Sequence, residues 1–181
     1  MFPKLETERL VLKEILHSDV EAIYSIFSNE EVTKFYGLNT FNKMEQAEKL
    51  IQAFTSNFQS EKGVRWGIER KGVPGLIGTI GFNSWSKAHQ RAEVGYEIHP
   101  DFWRNGYASE AVAKIVEYGF QEMELTRIGA IVFVENDGSS QLLMKQGFEK
   151  EGILRKYIYQ NNKAFDVIML AKFNRQNSGD E

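Results

Sequence analysis

Two periods of apolar spacing alternate along this chain, and each change of period marks a change of element. Arg9 to Ile15 (RLVLKEI) alternates apolar and polar positions, as a half-buried strand does. Val20, Ile23, Ile26 and Phe27 then recur at helical spacing, with Ser18 or Asp19 placed to cap the helix. Met44 to Phe58 predicts a second amphipathic helix, with Ala47, Leu50, Ile51 and Phe54 on its buried stripe. Between these helices, Val32 to Phe41 (VTKFYGLNTF) reads as a loop with exposed aromatics.

The middle of the chain returns to period two. Arg65 to Arg70, Leu76 to Trp85 and Gln90 to Ile98 predict three successive strands, hence an antiparallel meander. Lys71 to Gly75 (KGVPG) is the turn between the first two. A junction, HPDFWRNGYASEA, leads into a helix over Ser109 to Phe120 with Ala113, Val116 and Phe120 in the buried register. Arg127 to Val134 (RIGAIVFV) is a strongly apolar strand, and Asp137 or Ser139 can start a helix reaching about Lys145. Two further strands, Phe148 to Tyr159 and Phe165 to Phe173, flank Asn161-Asn162, a pair that tolerates the positive φ of a hairpin turn. The pattern describes an α/β (α+β) sandwich in one domain, residues 1–173, followed by a frayed tail, residues 174–181.

Composition narrows the function classes. A hydrophobic fraction of 42% supplies a core and argues against a disordered chain. The balance of 22 basic against 25 acidic side chains gives −3, which offers no general attraction to nucleic acid. There is no cysteine, so disulfides, thiolate nucleophiles and cysteine metal sites are excluded. His17, His89 and His99 form no recognised metal pattern, and no metal is expected. The opening MFPKLETERLVLKE lacks the apolar run of a signal peptide, and no stretch approaches the ~20 apolar residues that cross a membrane. The expectation is a cytoplasmic protein with no membrane partner.

The junction before the third predicted helix is the first candidate for chemistry. Backbone N–H groups at a helix start have no intrahelical partner and favour an anion. Gly106 removes a Cβ where a ligand would approach the backbone, Ala108 keeps the next turn narrow, and Arg104 can add positive charge. The same residues also make an ordinary turn and helix start. Asn136 and Ser139 likewise fit a helix N-cap, with Ser140 as a neighbouring hydroxyl.

In this order, the segments TERLVLKE, GTIGF, AEVGYEI, DFWRNGYASEA, ENDGSSQLLMKQGF and KAFDVIML resemble the GNAT superfamily of acetyltransferases, in the branch of the ribosomal-protein N-terminal acetyltransferases. The resemblance implies the GNAT fold, with a central, mixed, mostly antiparallel sheet flanked by helices and splayed between its fourth and fifth strands. It also implies acetyl-CoA as co-substrate. The family's cofactor loop, Arg/Gln-x-x-Gly-x-Gly/Ala, is matched at Gly106 and Ala108, while Trp103 stands at its first position. By this resemblance Trp103, Arg104, Asn105, Gly106, Tyr107, Ala108 and Ser109 surround the pyrophosphate. Ile98 and Asn136 lie along the pantetheine arm, and Ser139 sits near the thioester, where it can protonate the leaving thiolate.

For a base, Glu93 and Glu97 share one face of their strand, opposite Ala92, Val94, Tyr96 and Ile98. They can open onto the cleft, or form a solvated face paired with Arg91 and Lys87. Some relatives place a carboxylate on the penultimate strand, where Ile158 stands here. Phe35, Tyr36, Phe41, Trp85, Tyr157, Tyr159 and Asp166 are candidates for the acceptor side, or for ordinary packing. The leading acceptor is a protein or peptide N-terminus. A small amine such as a polyamine, amino sugar or antibiotic is the rival enzyme reading, and a non-catalytic acetyl-CoA-binding module is the rival from another class. An exposed sheet edge or hairpin leaves room for a homodimer.

Overall fold

A computed structural model describes residues 1–175, so most of the expected tail lies outside the described residues. The described residues form eight strands: β1 Leu5–Glu6, β2 Leu10–Glu14, β3 Val64–Arg70, β4 Val73–Ser86, β5 Arg91–Ile98, β6 Arg127–Phe133, β7 Glu149–Gln160 and β8 Lys163–Phe173. The helices are α1 Val20–Phe27, α2 Glu30–Thr33, α3 Met44–Gln59, α4 Tyr107–Gln121 and α5 Asp137–Lys145. All strands join one sheet in the order β1-β2-β3-β4-β5-β6-β8-β7. Every pairing is antiparallel except β5 with β6, which is parallel. No described helix is long and apolar enough to cross a membrane.

Strand alternation sends the two faces of the sheet to two apolar clusters. Trp66, Ile80, Phe82 and Val94 join Val112, Ile115 and Leu143 of α4 and α5. Ile15 and Leu76 join Ile23, Phe27, Ala47 and Ile51 of α1 and α3. The meander β3-β4-β5 and the hairpin β7-β8 form as expected, and Asn161 and Asn162 take φ of 50° and 59° in its turn.

Four local expectations need correction. Residues 30–33 form the short helix α2, with the Asn29 side chain accepting from Glu31 N–H, so the loop starts only at Lys34. Its aromatics are half-buried rather than exposed. The turn after β3 contracts to Lys71-Gly72, and β4 takes in Val73 to Gly75 because irregular register near Glu69 and Arg70 absorbs the extra residues. Helix α4 starts at Tyr107 and buries Ala111, Val112, Ile115, Val116 and Gly119, leaving Ala113 exposed. The expected buried stripe was rotated by about one residue, because Ala113 and Val112 are both apolar and only the packing partner distinguishes them.

The feature that matters most is where β5 and β6 stop pairing. Their parallel ladder runs only through Arg91–Arg127, Ala92–Ile128 and Glu93–Gly129. Beyond that rung β5 stays on β4 and β6 stays on β8, so Val94 to Ile98 part from Ala130 to Phe133. The parting lies between the two strands named by the resemblance, which are the fifth and sixth once the two-residue β1 is counted.

Candidate active site

Two adjoining cavities occupy this parting. One, of about 590 Å³, runs past Tyr96 and Ile98 to Trp103, Gly106 and Ala108. The other, of about 350 Å³, is walled by Glu93, Asn83, Ile131, Phe133 and Ile158. They share Phe35, Tyr36, Tyr96, Asn136 and Ser139. A molecule reaching from one into the other must pass these five residues.

At the shared boundary the Tyr96 and Ser139 hydroxyls lie 2.6 Å apart. Ser139 is in the first turn of α5, and Asn136 Oδ1 caps that turn by accepting from Ser139 N–H at 3.3 Å. Asn136 therefore has the capping role while also bordering both cavities. Ser140, the neighbouring hydroxyl, is buried, finds no hydrogen-bond partner among the described residues and borders neither cavity. Burial pushes the Tyr96 phenol up to about 12, so it remains a proton donor at neutral pH. Sequence reasoning assigned Tyr96 to the face opposite the glutamates and gave it no role. Its only signal was a bulky, hydroxyl-bearing side chain on the otherwise apolar face of β5.

The larger cavity ends at the start of α4. Arg104 and Gly106 have φ of 60° and 77°, so the chain coils left-handedly before the first helical bond, Glu110 N–H to Gly106 C=O. The amides of Tyr107 to Ser109 fall in the turn that has no intrahelical acceptors. Trp103 contributes no charge. Its indole N–H donates to Ile98 C=O at 2.6 Å and fixes the loop to the end of β5. Asn105 Nδ2 donates to Phe102 C=O and Trp103 C=O, bracing the same turn. Ser109 accepts from Gln146 Nε2 at 2.8 Å through both its carbonyl and its hydroxyl, locking α4 to α5. Arg9 is a cation the sequence reading missed. It donates to Asn105 C=O at 2.9 Å and pairs with Glu110 at 2.7 Å. The arrangement fits acetyl-CoA: an open strand edge for an extended arm, and unpaired amides at a glycine-lined bend for a diphosphate.

The two glutamates have different fates. Glu93 stands on the last paired rung of β5 and β6, against Gly129, where the strands begin to part. It is half-buried and lines the smaller cavity, and desolvation raises its carboxyl above the ordinary 4.5 against the opposing pull of Arg91 and Arg127. Glu97 borders the larger cavity, but its carboxylate is engaged by protein partners. It is 7% exposed, accepts from Arg65 at 2.6 Å and is bonded to Thr79 Oγ1. The expected partners Arg91 and Lys87 do not hold it. Lys87 instead pairs with Glu61 at 2.6 Å.

Of the acceptor candidates, Phe35 and Tyr36 reach the site and border both cavities. Arg65 donates to the Tyr36 hydroxyl at 3.2 Å. The buried Gln160 side chain donates to Thr33 C=O and Leu38 C=O and accepts from Gly37 N–H, so the β7-β8 hairpin holds this loop in place. Trp85, Tyr157 and Asp166 border neither cavity. Trp85 packs on the core with Lys87 Nζ 5.2 Å above its ring. Tyr157 is 53% exposed on the outer strand β7. Asp166 Oδ1 accepts from Lys156 N–H at 2.7 Å, serving an irregularity in β7 where Lys156 takes a φ of 52°. Strand alternation names a side, but the irregularity between Leu154 and Ile158 interrupts it at Tyr157 and Lys156, the latter held by Asp166. No group of histidine and acidic side chains suited to a metal occurs among the described residues.

Comparison with known proteins agrees with this geometry. Residues 9–149 match the acetyltransferase (GNAT) domain family. The uncharacterized N-acetyltransferase YoaA of Bacillus subtilis (strain 168) is 54% identical over 167 residues, covering 92% of this chain and 94% of that protein. Among solved structures, spermidine N-acetyltransferase from Vibrio cholerae, in complex with CoA and spermine, superposes with a TM-score of 0.81 at 22% identity, over 92% of this chain and 96% of that one. The ribosomal L7/L12 α-N-protein acetyltransferase RimL, in complex with coenzyme A, gives 0.84 at 18% identity, over 94% and 98%. With a family model spanning most of its length and a named relative at more than half identity, this chain belongs to the GNAT acetyltransferase family and is an acetyl-CoA-dependent N-acetyltransferase.

Proposed function

We propose that this protein transfers the acetyl group of acetyl-CoA directly to the α-amine of a protein or peptide N-terminus. The observation that carries the reading is the meeting of two cavities at the Tyr96–Ser139 pair, where β5 and β6 part. In this reading the amides from Arg104 to Ser109 hold the pyrophosphate, and Ile98 and Asn136 border the pantetheine arm. Acetyl-CoA supplies the activated acetyl group and the thiolate that leaves. Ser139 Oγ delivers a proton to the departing sulfur, with the Tyr96 hydroxyl behind it as the source. Much of the rate comes from holding amine and acetyl group in line.

Glu93 binds the incoming ammonium and takes its proton. Glu97, tied to Arg65, has a structural task instead. A single half-buried carboxylate is a modest base, and that favours an α-amine. The free-solution pKa of an α-amino group is about 7.7–8.0, against about 10.4 for a lysine-type amine, so far more of it is neutral near pH 7. A cytoplasmic location belongs to the same proposal.

The test is CoA release with a panel of peptides and small amines, alongside direct titration of acetyl-CoA. Turnover with free peptide N-termini, and none with N-acetylated controls, supports the reading. Acetyl-CoA binding with no CoA release on any amine overturns it in favour of a non-catalytic binding module.

A further inference from the structure

The smaller cavity carries more information than the position of a base. Its lining includes one carboxylate, Glu93, and one cation, Arg65. Arg65 is already matched by Glu97, at 2.6 Å and almost fully buried. Among the described lining residues the carboxylate left for an incoming molecule is Glu93, and Arg91 and Arg127 already draw on its charge. One ammonium can be matched there. A second would lose its hydration in the same space without a counter-charge and beside a guanidinium, which is unfavourable.

Part of the wall is apolar, alongside the polar Asn83, Asn136, Ser139 and the Tyr36 and Tyr96 hydroxyls. Phe35 packs edge-on to Phe133 at 5.8 Å, and Phe133 in turn stacks on Phe165 at 5.1 Å. Ile131 and Ile158 complete that side, and Ile158 lies over Gly37 with its methyl 3.5 Å from where a Cβ would stand. Gly37 is itself held by Gln160, so this wall is built and braced. At about 350 Å³ the cavity is near the lower end of ligand pockets, about 300–1,000 Å³, and suits one residue rather than a long chain.

From this charge count and this wall we infer that the acceptor is a singly charged α-amine whose first side chain is apolar and at least the size of leucine. The amine lies at Glu93 and the side chain against Phe35, Phe133 and Ile158. This rests on the transferase reading above and adds the choice of acceptor. Polyamines are poor acceptors because their further charges have no partner, and peptides beginning with Lys or Asp fail for the same reason or by repulsion from Glu93.

The experiment measures kcat/KM by CoA release for tetrapeptides identical beyond their first residue, which is Leu, Phe, Ser, Gly, Lys or Asp, with spermidine as a further acceptor. Leu and Phe are expected at least about ten-fold above Gly and Ser, since each methylene in an apolar pocket is worth about ten-fold or more. Lys, Asp and spermidine fall below Gly. In Ile158→Ala the ratio of Leu to Gly narrows while the Kd for acetyl-CoA is unchanged. Equal rates for Gly and Leu overturn the inference and leave the peptide N-terminus reading standing, whereas spermidine as the best acceptor overturns both. Acetyl-CoA binding without release on any acceptor removes both.

Discussion

Arg65 on β3 reaches Glu97 on β5 across the full width of β4, and their charged groups meet at 2.6 Å. The crossing is made possible by two glycines. A Cβ at Gly81 would stand 2.8 Å from Arg65 Cδ, and one at Gly95 would stand 3.3 Å from Arg65 Nη1. On the way the guanidinium donates to Thr79 Oγ1, Gly95 C=O and the Tyr36 hydroxyl. One side chain thus joins three strands and the loop that borders both cavities.

Removing Arg65 alone strands a buried carboxylate. Arg65→Met is expected to cost about 3–5 kcal/mol of stability, the usual penalty for breaking a buried pair from one side. The double variant Arg65→Met/Glu97→Leu should recover most of that, because it leaves no unpaired charge. Urea unfolding of the three proteins checks this, and a double variant as unstable as the single one would contradict it.

The glycine path gives a second stability prediction. Gly81→Ala places a methyl group on Arg65 and on the Val64 carbonyl, and should cost about 1–3 kcal/mol, as overpacking does. Gly129→Ala, whose nearest neighbour would be 3.5 Å away, should cost less. Thermal melts of the pair decide the order.

Tyr96 and Ser139 should act as one unit. Ser139→Ala and Tyr96→Phe are each expected to lower kcat by about ten- to a hundred-fold, within the range of a lost proton-transfer group or somewhat below it. The double variant should lose little more than either single one, since groups that act together are not additive. Acetyl-CoA affinity, measured by calorimetry, should change much less than kcat.

Glu93 predicts a pH dependence of turnover. Its folded pKa is raised above 4.5 by desolvation, so the carboxylate needed as base is lost as pH falls through that raised value. The acid limb of kcat/KM for the acceptor should therefore lie above 4.5 in the native protein. In Glu93→Gln, kcat should fall and this limb disappear. A pH–rate profile of the two proteins, at saturating acetyl-CoA, makes the comparison.

Trp103 predicts a donor-side effect. Trp103→Phe keeps an aromatic ring but removes the donor to Ile98 C=O, and should raise the KM for acetyl-CoA several-fold with kcat little changed. Steady-state kinetics with acetyl-CoA varied will separate the two parameters.

Local spacing was enough to place the elements, and the ordered motifs to name the family. Period-two and helical spacing located β2 to β8 and the longer helices, because backbone periodicity is a local property. The run from Trp103 to Ser109 was legible as a candidate anion site for the same reason, because a helix start and its free amides are local, and the resemblance added the proposed donor role. Ser139 and Glu93 were also named, one from a motif and one from strand alternation. Only the tertiary structure decided which of the named residues share a site. Glu97 was open to catalysis until Arg65 crossed a strand to reach it, and Trp85, Tyr157 and Asp166 were set apart by packing and by an irregular register in β7. Tyr96 and Arg9 acquired roles through partners 43 and 96 residues away, Ser139 and the Asn105 carbonyl. Periodicity reports which side of an element a residue takes, while burial and pairing depend on which distant element covers that side.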